Sequence, residues 1–360
     1  MFEKYGIDSI KGLEFGLYTL GDHIADPATG KRVSPQERIQ QFIEMAKLAD
    51  QAGLDVFSIG ESHQEYFVSQ AHAVILAAVA QATKNIRISS ASTIVSTSDP
   101  VRIYENFATL DLISGGRAEI IGGRASRVGL FDLLGYDLQD YEALFEEKFA
   151  LLNLINDSQG EPINWEGEYR APLKDAVVLP EPVQEKLPIW RAVGGAPASA
   201  IKAGMQGVPM YLAGLGGPMT SYKRTIDAYR DALSYSGYNP EEYPVALAGF
   251  LLIAEDSQQA LRQYYPSINE GMMRTNGQGF QKRAFAQGVD PRSIMNIGSP
   301  QQIIEKILQQ HELFGHQRYV GQMDFGGVPF NVIMKNIDII GEEILPAIRK
   351  YTKPDKEDTK

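Results

Sequence analysis

The stretch from Ile86 to Ser126 reads as strand, loop, helix and strand, and it closes on a lone arginine among glycines, Gly122-Gly123-Arg124. Ile86 to Ile94 is rich in Ile, Ser and Thr, with small residues in its second half. Asp99 suits an N-cap, and Pro100 then falls at the first helical position, where its missing N–H costs nothing. Val101, Tyr104, Phe107, Leu110 and Ile113 recur at helical spacing, and Gly115-Gly116 stops the helix. Arg117 to Gly122 is a second short strand. Two strands joined by a covering helix lie parallel, because the connection is far longer than a hairpin turn. Arg124 then stands where a βα loop opens, on the side where parallel α/β folds bind ligands.

The same unit recurs along the chain. Strands are expected at Leu13–Leu20, Asp55–Ile59, Ile86–Ile94, Arg117–Gly122, Ile189–Val193, Val208–Ala213, Val245–Ala254 and Tyr319–Phe325, each followed by a helical pattern. Ser34-Pro35-Gln36-Glu37 reads as a capping box opening the first helix. Residues 70–84 are apolar almost all round, which predicts a helix covered on several sides or by another chain, hence a homodimer. Residues 127–187 break the rhythm with a helix from Tyr141 and a hairpin turning at Glu166-Gly167. Residues 255–300 break it again with helices and a Gly/Arg-rich loop. An eightfold alternation predicts a (β/α)8 TIM barrel with insertions after strands four and seven. A doubly wound open sheet competes, but the glycine-rich first turn it needs is missing. The reading places one domain over residues 1–351 and a charged tail over 352–360.

Composition narrows the function classes. With 360 residues, 44% hydrophobic and 22% charged, the chain has the balance of a soluble globular protein. A net charge of −11, with no basic stripe, argues against a nucleic-acid partner. The longest apolar run, Ala73 to Ala80, is too short to span a membrane. There is no cysteine, so disulfides, thiolate metal sites and cysteine nucleophiles are excluded, as suits a cytoplasmic protein. No metal-ligand spacing joins the five histidines.

Three strand ends carry candidate chemistry. Arg124 sits beside glycine N–H groups and suits a phosphate, though from the loop alone an arginine paired with a neighbouring acid is the better reading, because exposed ion pairs are common. Gly194-Gly195-Ala196-Pro197-Ala198-Ser199 ends strand five and opens a helix, whose N-terminus offers free N–H groups, with Ser199 adding a hydroxyl. The plain alternative is a tight turn started by Pro197. In a barrel these two loops are neighbours. Glu61 and His63 end strand two and suit an acid and a base, or a pair that braces the strand end. His72 reads as structural. Arg274, Arg283 and Arg292, with Gly277 and Gly279, suit either an anion-binding lid or a solvated loop. GxGxxG and GxxxxGK[ST] are both absent, which argues against a Rossmann dinucleotide site and a P-loop.

Several of these segments together resemble the luciferase-like flavin monooxygenase family. The resemblance covers about residues 13–350. It rests on Ala91-Ser92, on Asp99-Pro100-Val101-Arg102, on Leu110-Asp111-Leu112-Ile113-Ser114-Gly115-Gly116-Arg117, on WEGEYRAPL (165–173) and on IWRAVGGAP (189–197). It implies a (β/α)8 barrel that uses reduced FMN, or deazaflavin F420 in one branch. It implies a cis peptide at Ala91-Ser92 under the flavin ring, and phosphate held by Arg124 and by Gly194, Gly195, Ala196 and Ser199. His63 and Glu61 then fall near the reacting oxygen. The implied activity is oxidation of a small molecule by O2, with reduced flavin arriving from a separate reductase. Bacterial luciferase carries two adjacent histidines where Ser62-His63 stand here, and Gly123 takes the place of a reactive cysteine found in some luciferases. Hydride transfer with F420, flavin binding without turnover, and a hydrolase using Glu61 with another carboxylate are the rival readings.

Overall fold

The computed structural model describes residues 2–125 and 129–354. Ser126, which closes the stretch read first, and tail residues 355–360 lie outside the described residues. Eight parallel strands form a closed ring: β1 (Glu14–Thr19), β2 (Val56–Ile59), β3 (Arg87–Ser90), β4 (Ala118–Gly123), β5 (Ile189–Val193), β6 (Met210–Gly214), β7 (Val245–Ile253) and β8 (Arg318–Gln322). Strand β1 pairs with β2 and β8, and β7 pairs with β6 and β8, which closes the sheet. The helices that cover the barrel, one after each strand, are α1 (Pro35–Gln51), α2 (His72–Ala82), α3 (Pro100–Ser114), α4 (Tyr141–Ser158), α5 (Pro197–Met205), α6 (Met219–Tyr235), α7 (Pro300–Phe314) and α8 (Phe330–Ile339). This is the (β/α)8 barrel that the alternation predicts. The last helix runs on through a π turn at Ile340–Ile344 to Thr352, one residue into the stretch read as tail. Thr352 Oγ1 accepts from the Leu13 N–H at 2.8 Å, tying the last helix to the start of β1.

Strands buried on both faces read as continuous apolar runs, and all nine residues of β7 are buried. Odd positions of β1, such as Phe15 and Leu17, pack outward among the helices. Tyr18 turns inward with Val56, Ile121, Trp190, Tyr211 and Val320. Below these, Arg318 donates to Glu14 Oε2 at 2.7 Å and to Glu119 Oε1 at 2.6 Å, wholly inside the barrel.

Four local expectations change. The strand over Ile86–Ile94 is broken, with β3 ending at Ser90 and pairing resuming at Thr93–Ile94. Ser34 Oγ accepts from Glu37 N–H at 3.1 Å, but the two-way capping box forms instead between Ser299 and Gln302, before α7. The hairpin pairs Ile163–Trp165 with Leu173–Ala176, leaving a long connection rather than a tight turn at Glu166-Gly167. Glu147 of α4 pulls that connection down by accepting from the N–H groups of Glu168, Tyr169 and Arg170. Helix α3 buries a broader face than expected: Tyr104, Phe107 and Leu110 are buried as predicted, Ile103, Ala108, Asp111 and Ser114 are buried beside them, Val101 is partly covered and Ile113 is exposed.

Asp111 explains why the buried face extends beyond its apolar residues. Its carboxylate accepts from Ala118 N–H at 3.0 Å, from Gln184 N–H at 3.0 Å and from Gln184 Nε2 at 2.8 Å. Arg117 completes the corner by donating to the carbonyls of Ala80, Thr83 and Ile86. Both residues belong to the segment Leu110–Arg117, and both fix where β4 begins.

Candidate active site

The strand ends at the C-terminal mouth of the barrel enclose a cavity of about 520 Å³. Its inner wall is made of alanines from four strands and strand ends, Ala91, Ala192, Ala213 and Ala248. In a small closed barrel larger side chains would fill this layer, so the alanines create the space. Leu20, Leu215, Phe250 and Phe325 make the sides apolar, and Met272 and Asn276 reach it from the helix Ser257–Asn276 inserted after β7.

The break after β3 lies in this wall. The Ala91–Ser92 peptide bond is cis. Glycines on both flanks admit it: a Cβ on Gly60 would lie 2.5 Å from the Ala91 carbonyl oxygen, and one on Gly123 would lie 2.1 Å from Ser92 Oγ. A residue larger than glycine at 123 would have to displace the Ser92 side chain. Ser90 Oγ replaces the missing ladder bonds, accepting from Ile121 N–H at 2.9 Å and donating to its carbonyl at 3.2 Å.

Glu61 follows β2 and is held on several sides. The Ile94 N–H donates to its Oε2 at 2.7 Å, His63 Nε2 meets its Oε1 at 2.7 Å, and His72 Nδ1 stands 3.8 Å from Oε2. A carboxylate only accepts, so this contact puts a proton on His63 Nε2 and leaves Nδ1 without a protein partner among the described residues. Both residues line the cavity. His72 Nε2 pairs with Thr93 Oγ1 at 2.8 Å, and burial holds this imidazole below its usual pKa range despite Glu61. His72 thus braces the residue after the break, the structural role expected of it.

Arg124 and the turn after β5 do meet. Arg124 Nη2 donates to Ser199 Oγ at 3.2 Å, and its Nη1 pairs with Glu142 of α4. The acid-paired alternative is therefore present in the same side chain that reaches the turn. Glu142 is shared with Lys202 at 3.2 Å. Helix α5 starts at Pro197 with no side chain capping it, so its first N–H groups stay open to a ligand. Gly194 lines the cavity, and a Cβ there would meet nothing within 4 Å. An open helix N-terminus, a guanidinium and a hydroxyl make a donor set that fits a phosphate at the rim. Gly195 and Ala196 form the turn itself.

The long-loop arginines do not join the site. Arg274 pairs with Glu270 at 2.7 Å and lies over the Tyr66 ring, and Arg292 pairs with Asp290 at 2.8 Å. None of the three lines the cavity.

Residues 13–317 match the luciferase-like monooxygenase family. The chain belongs to that family. Among relatives, it is 21% identical over 368 residues to the oxygenase component of the flavin-dependent trigonelline monooxygenase of Acinetobacter baylyi, covering 93% of this chain and 95% of that one. Among solved folds, the monooxygenase RslO1 from Streptomyces bottropensis superposes with a TM-score of 0.79 at 23% identity, covering 93% of this chain and 99% of that one. The oxygenating constituent of 3,6-diketocamphane monooxygenase from Pseudomonas putida, in complex with FMN, gives 0.74 at 17%, covering 93% and 98%. An F420-dependent secondary alcohol dehydrogenase with an F420-acetone adduct gives 0.71 at 19%, covering 94% and 99%.

Within this luciferase-like chain, sequence reasoning missed Tyr18, Tyr211, Gln322, Met272, Asn276 and the competing Glu142. A weak signal marked part of the wall: Ala213 stands just before Gly214, which ends its strand, and Ala192 stands two residues before Gly194. Tyr211 and Gln322 carried no signal, because an inward-facing residue on a buried strand looks like its outward neighbours.

Proposed function

We propose that this luciferase-like protein is the oxygenase component of a two-component monooxygenase, using reduced FMN and O2 on a small organic substrate. The observation that supports it most is the convergence of Arg124, Ser199 and the uncapped start of α5 at the rim of a cavity walled by Ala91-Ser92. When bound, reduced FMN supplies the electrons and activates O2. Arg124, Ser199 and the α5 N–H groups hold the phosphate, with Arg124 trading Glu142 for it. Gly194, Gly195 and Ala196 let the backbone approach closely. Ala91 and Ser92 support the ring. Glu61 fixes the His63 ring so that Nδ1 can take or give a proton at the reacting oxygen. The apolar walls exclude water, which strengthens each of these contacts. The trigonelline relative's description as an oxygenase component supports a separate reductase as partner. A homodimer through α2 and α3 is supported by the exposed Val74, Leu112 and Ile113 on those helices. No helix among the described residues is long and apolar enough to cross a membrane, and a cytoplasmic location is part of the proposal.

F420 is the second reading, supported by the F420-dependent structural neighbour. Offering reduced FMN and reduced F420 separately, with O2 uptake measured over a substrate panel, separates the two. O2 uptake coupled to product with FMN is the expected result. Hydride transfer with F420 alone, or FMN binding with no product, would overturn the proposal.

A further inference from the structure

Two buried polar groups of the cavity have no partner. Gln322, the last residue of β8, is 1% exposed, and its Nε2 meets no acceptor. Tyr211, on β6, is 6% exposed, and its hydroxyl is equally alone. Both line the cavity. Such groups are nearly always paired in folded proteins, because an unpaired buried donor keeps the full cost of leaving water. An amide nitrogen only donates, and the Tyr211 phenol, pushed up by burial, keeps its proton. The missing atom at Gln322 is therefore an acceptor. It is also uncharged. Arg318, under the cavity, leaves its Nη2 unpaired, but its charge is already matched by Glu14 and Glu119, and Arg124 stands at the rim. A carboxylate or phosphate beside Gln322 would meet Phe250 and Phe325 without a counter-charge.

We propose that Gln322 Nε2 anchors the oxygen of a neutral carbonyl group inside the cavity, supplied either by the organic substrate or by the dione edge of the flavin. This deepens the reading of the cavity as a flavin and substrate pocket and rests on it. Tyr211 offers a second donor deeper in the barrel.

The test uses the full chain and the variants Gln322→Leu and Gln322→Glu, each first checked for a wild-type melting curve. One arm titrates FMN and records the bound-flavin spectrum. The other measures cyclohexanone and cyclohexane binding by calorimetry, with and without FMN. A substrate carbonyl predicts that the wild type prefers the ketone by at least about tenfold, that Gln322→Leu erases the preference, and that FMN binding is unchanged. A flavin carbonyl predicts instead a similar loss of FMN affinity with a shifted spectrum in Gln322→Leu. In both cases Gln322→Glu binds worse than Gln322→Leu at high pH, where its carboxyl is ionised and acceptor faces acceptor, and recovers at low pH, where its O–H donates. Wild-type behaviour of both variants in both arms would overturn the inference, as would binding by Gln322→Glu that tightens as pH rises. A wild type that binds no FMN would sink the flavin reading alone, and the ketone arm on flavin-free protein would still read Gln322.

Discussion

Arg124 divides its guanidinium between Ser199 and Glu142, and only the second has to leave for a phosphate to enter. Arg124→Ala is expected to weaken FMN binding by about tenfold or more, because it removes charge-assisted bonds. Glu142→Gln is expected to tighten it, since the competing carboxylate is gone. Fluorescence titration reads both, and a weaker FMN complex in Glu142→Gln would contradict the exchange. A second residue-scale test lies behind the cavity wall. Asp324 takes the Arg38 bond at 2.7 Å and the Thr19 bond at 2.6 Å, while the Asp22 carboxylate accepts from the Gly326 N–H at 3.0 Å and stands 3.9 Å from the Arg38 guanidinium. Burial, with Asp324 adding to it, pushes Asp22 up to about 7. A carboxyl raised on folding binds more protons in the native state, so its contribution is full below pH 4 and is lost as pH rises towards 7. The stability of Asp22→Asn relative to wild type should therefore improve between pH 4 and 7. Urea melts at the two pH values measure this, and a difference that does not change with pH would be contrary to it. Arg124, Ser199, Glu61 and His63 were legible in the sequence because each sits beside glycines at a strand end. Asp22 and Asp324 were not, since 302 residues of chain separate two ordinary-looking acids.

At the scale of elements, the segment from Ile86 to Gly123 was readable as strand, helix and strand because its signals are local. Asp99 caps α3 through the Val101 N–H, and Gly115 ends it in the left-handed region. The facing of α3 was readable at Tyr104, Phe107 and Leu110, which are buried as expected, but not at Asp111. Periodicity counts apolar residues, and it could not foresee a polar residue, Asp111, buried to satisfy three donors from β4 and the segment before β5. Asp111→Ala should leave those donors unpaired and cost at least about 2 kcal/mol in urea denaturation. A loss within experimental error would show that the corner is held by packing alone. The turn after β5 is braced in the same manner. Arg191 grips Glu146 of α4 with two bonds, at 2.8 and 2.6 Å, and outweighs burial to hold that carboxyl down to about 2. Helix α4, which carries Glu142, is thereby tied to β5, which leads to Gly194.

For the whole molecule, eight local strand and helix patterns determined the barrel, since a parallel strand with a covering helix has few ways to close. What fills the barrel was hidden. Arg318 reaches Glu14 and Glu119 across sequence separations of 304 and 199 residues. Burial favours the neutral form of both acids, and Arg318 opposes it. At Glu119, which Arg87 also reaches, the guanidinium groups win and its pKa falls; at Glu14 burial wins and its pKa rises. Arg318→Met should cost about 3–5 kcal/mol, because it strands buried acids without their partner. Chemical denaturation reads it, and a variant as stable as wild type would mean the network is neutral to the fold. This polar plug supports the inner wall from below, and the alanines above it leave the hollow open.

The most direct measurement compares FMN with riboflavin, which differ only in the phosphate, by fluorescence titration of the wild-type chain at low salt. A phosphate gripped by Arg124, Ser199 and the start of α5 makes FMN bind at least about tenfold more tightly than riboflavin. Equal affinities would mean that nothing at the rim holds a phosphate, and the assignment of this cavity to FMN would fail.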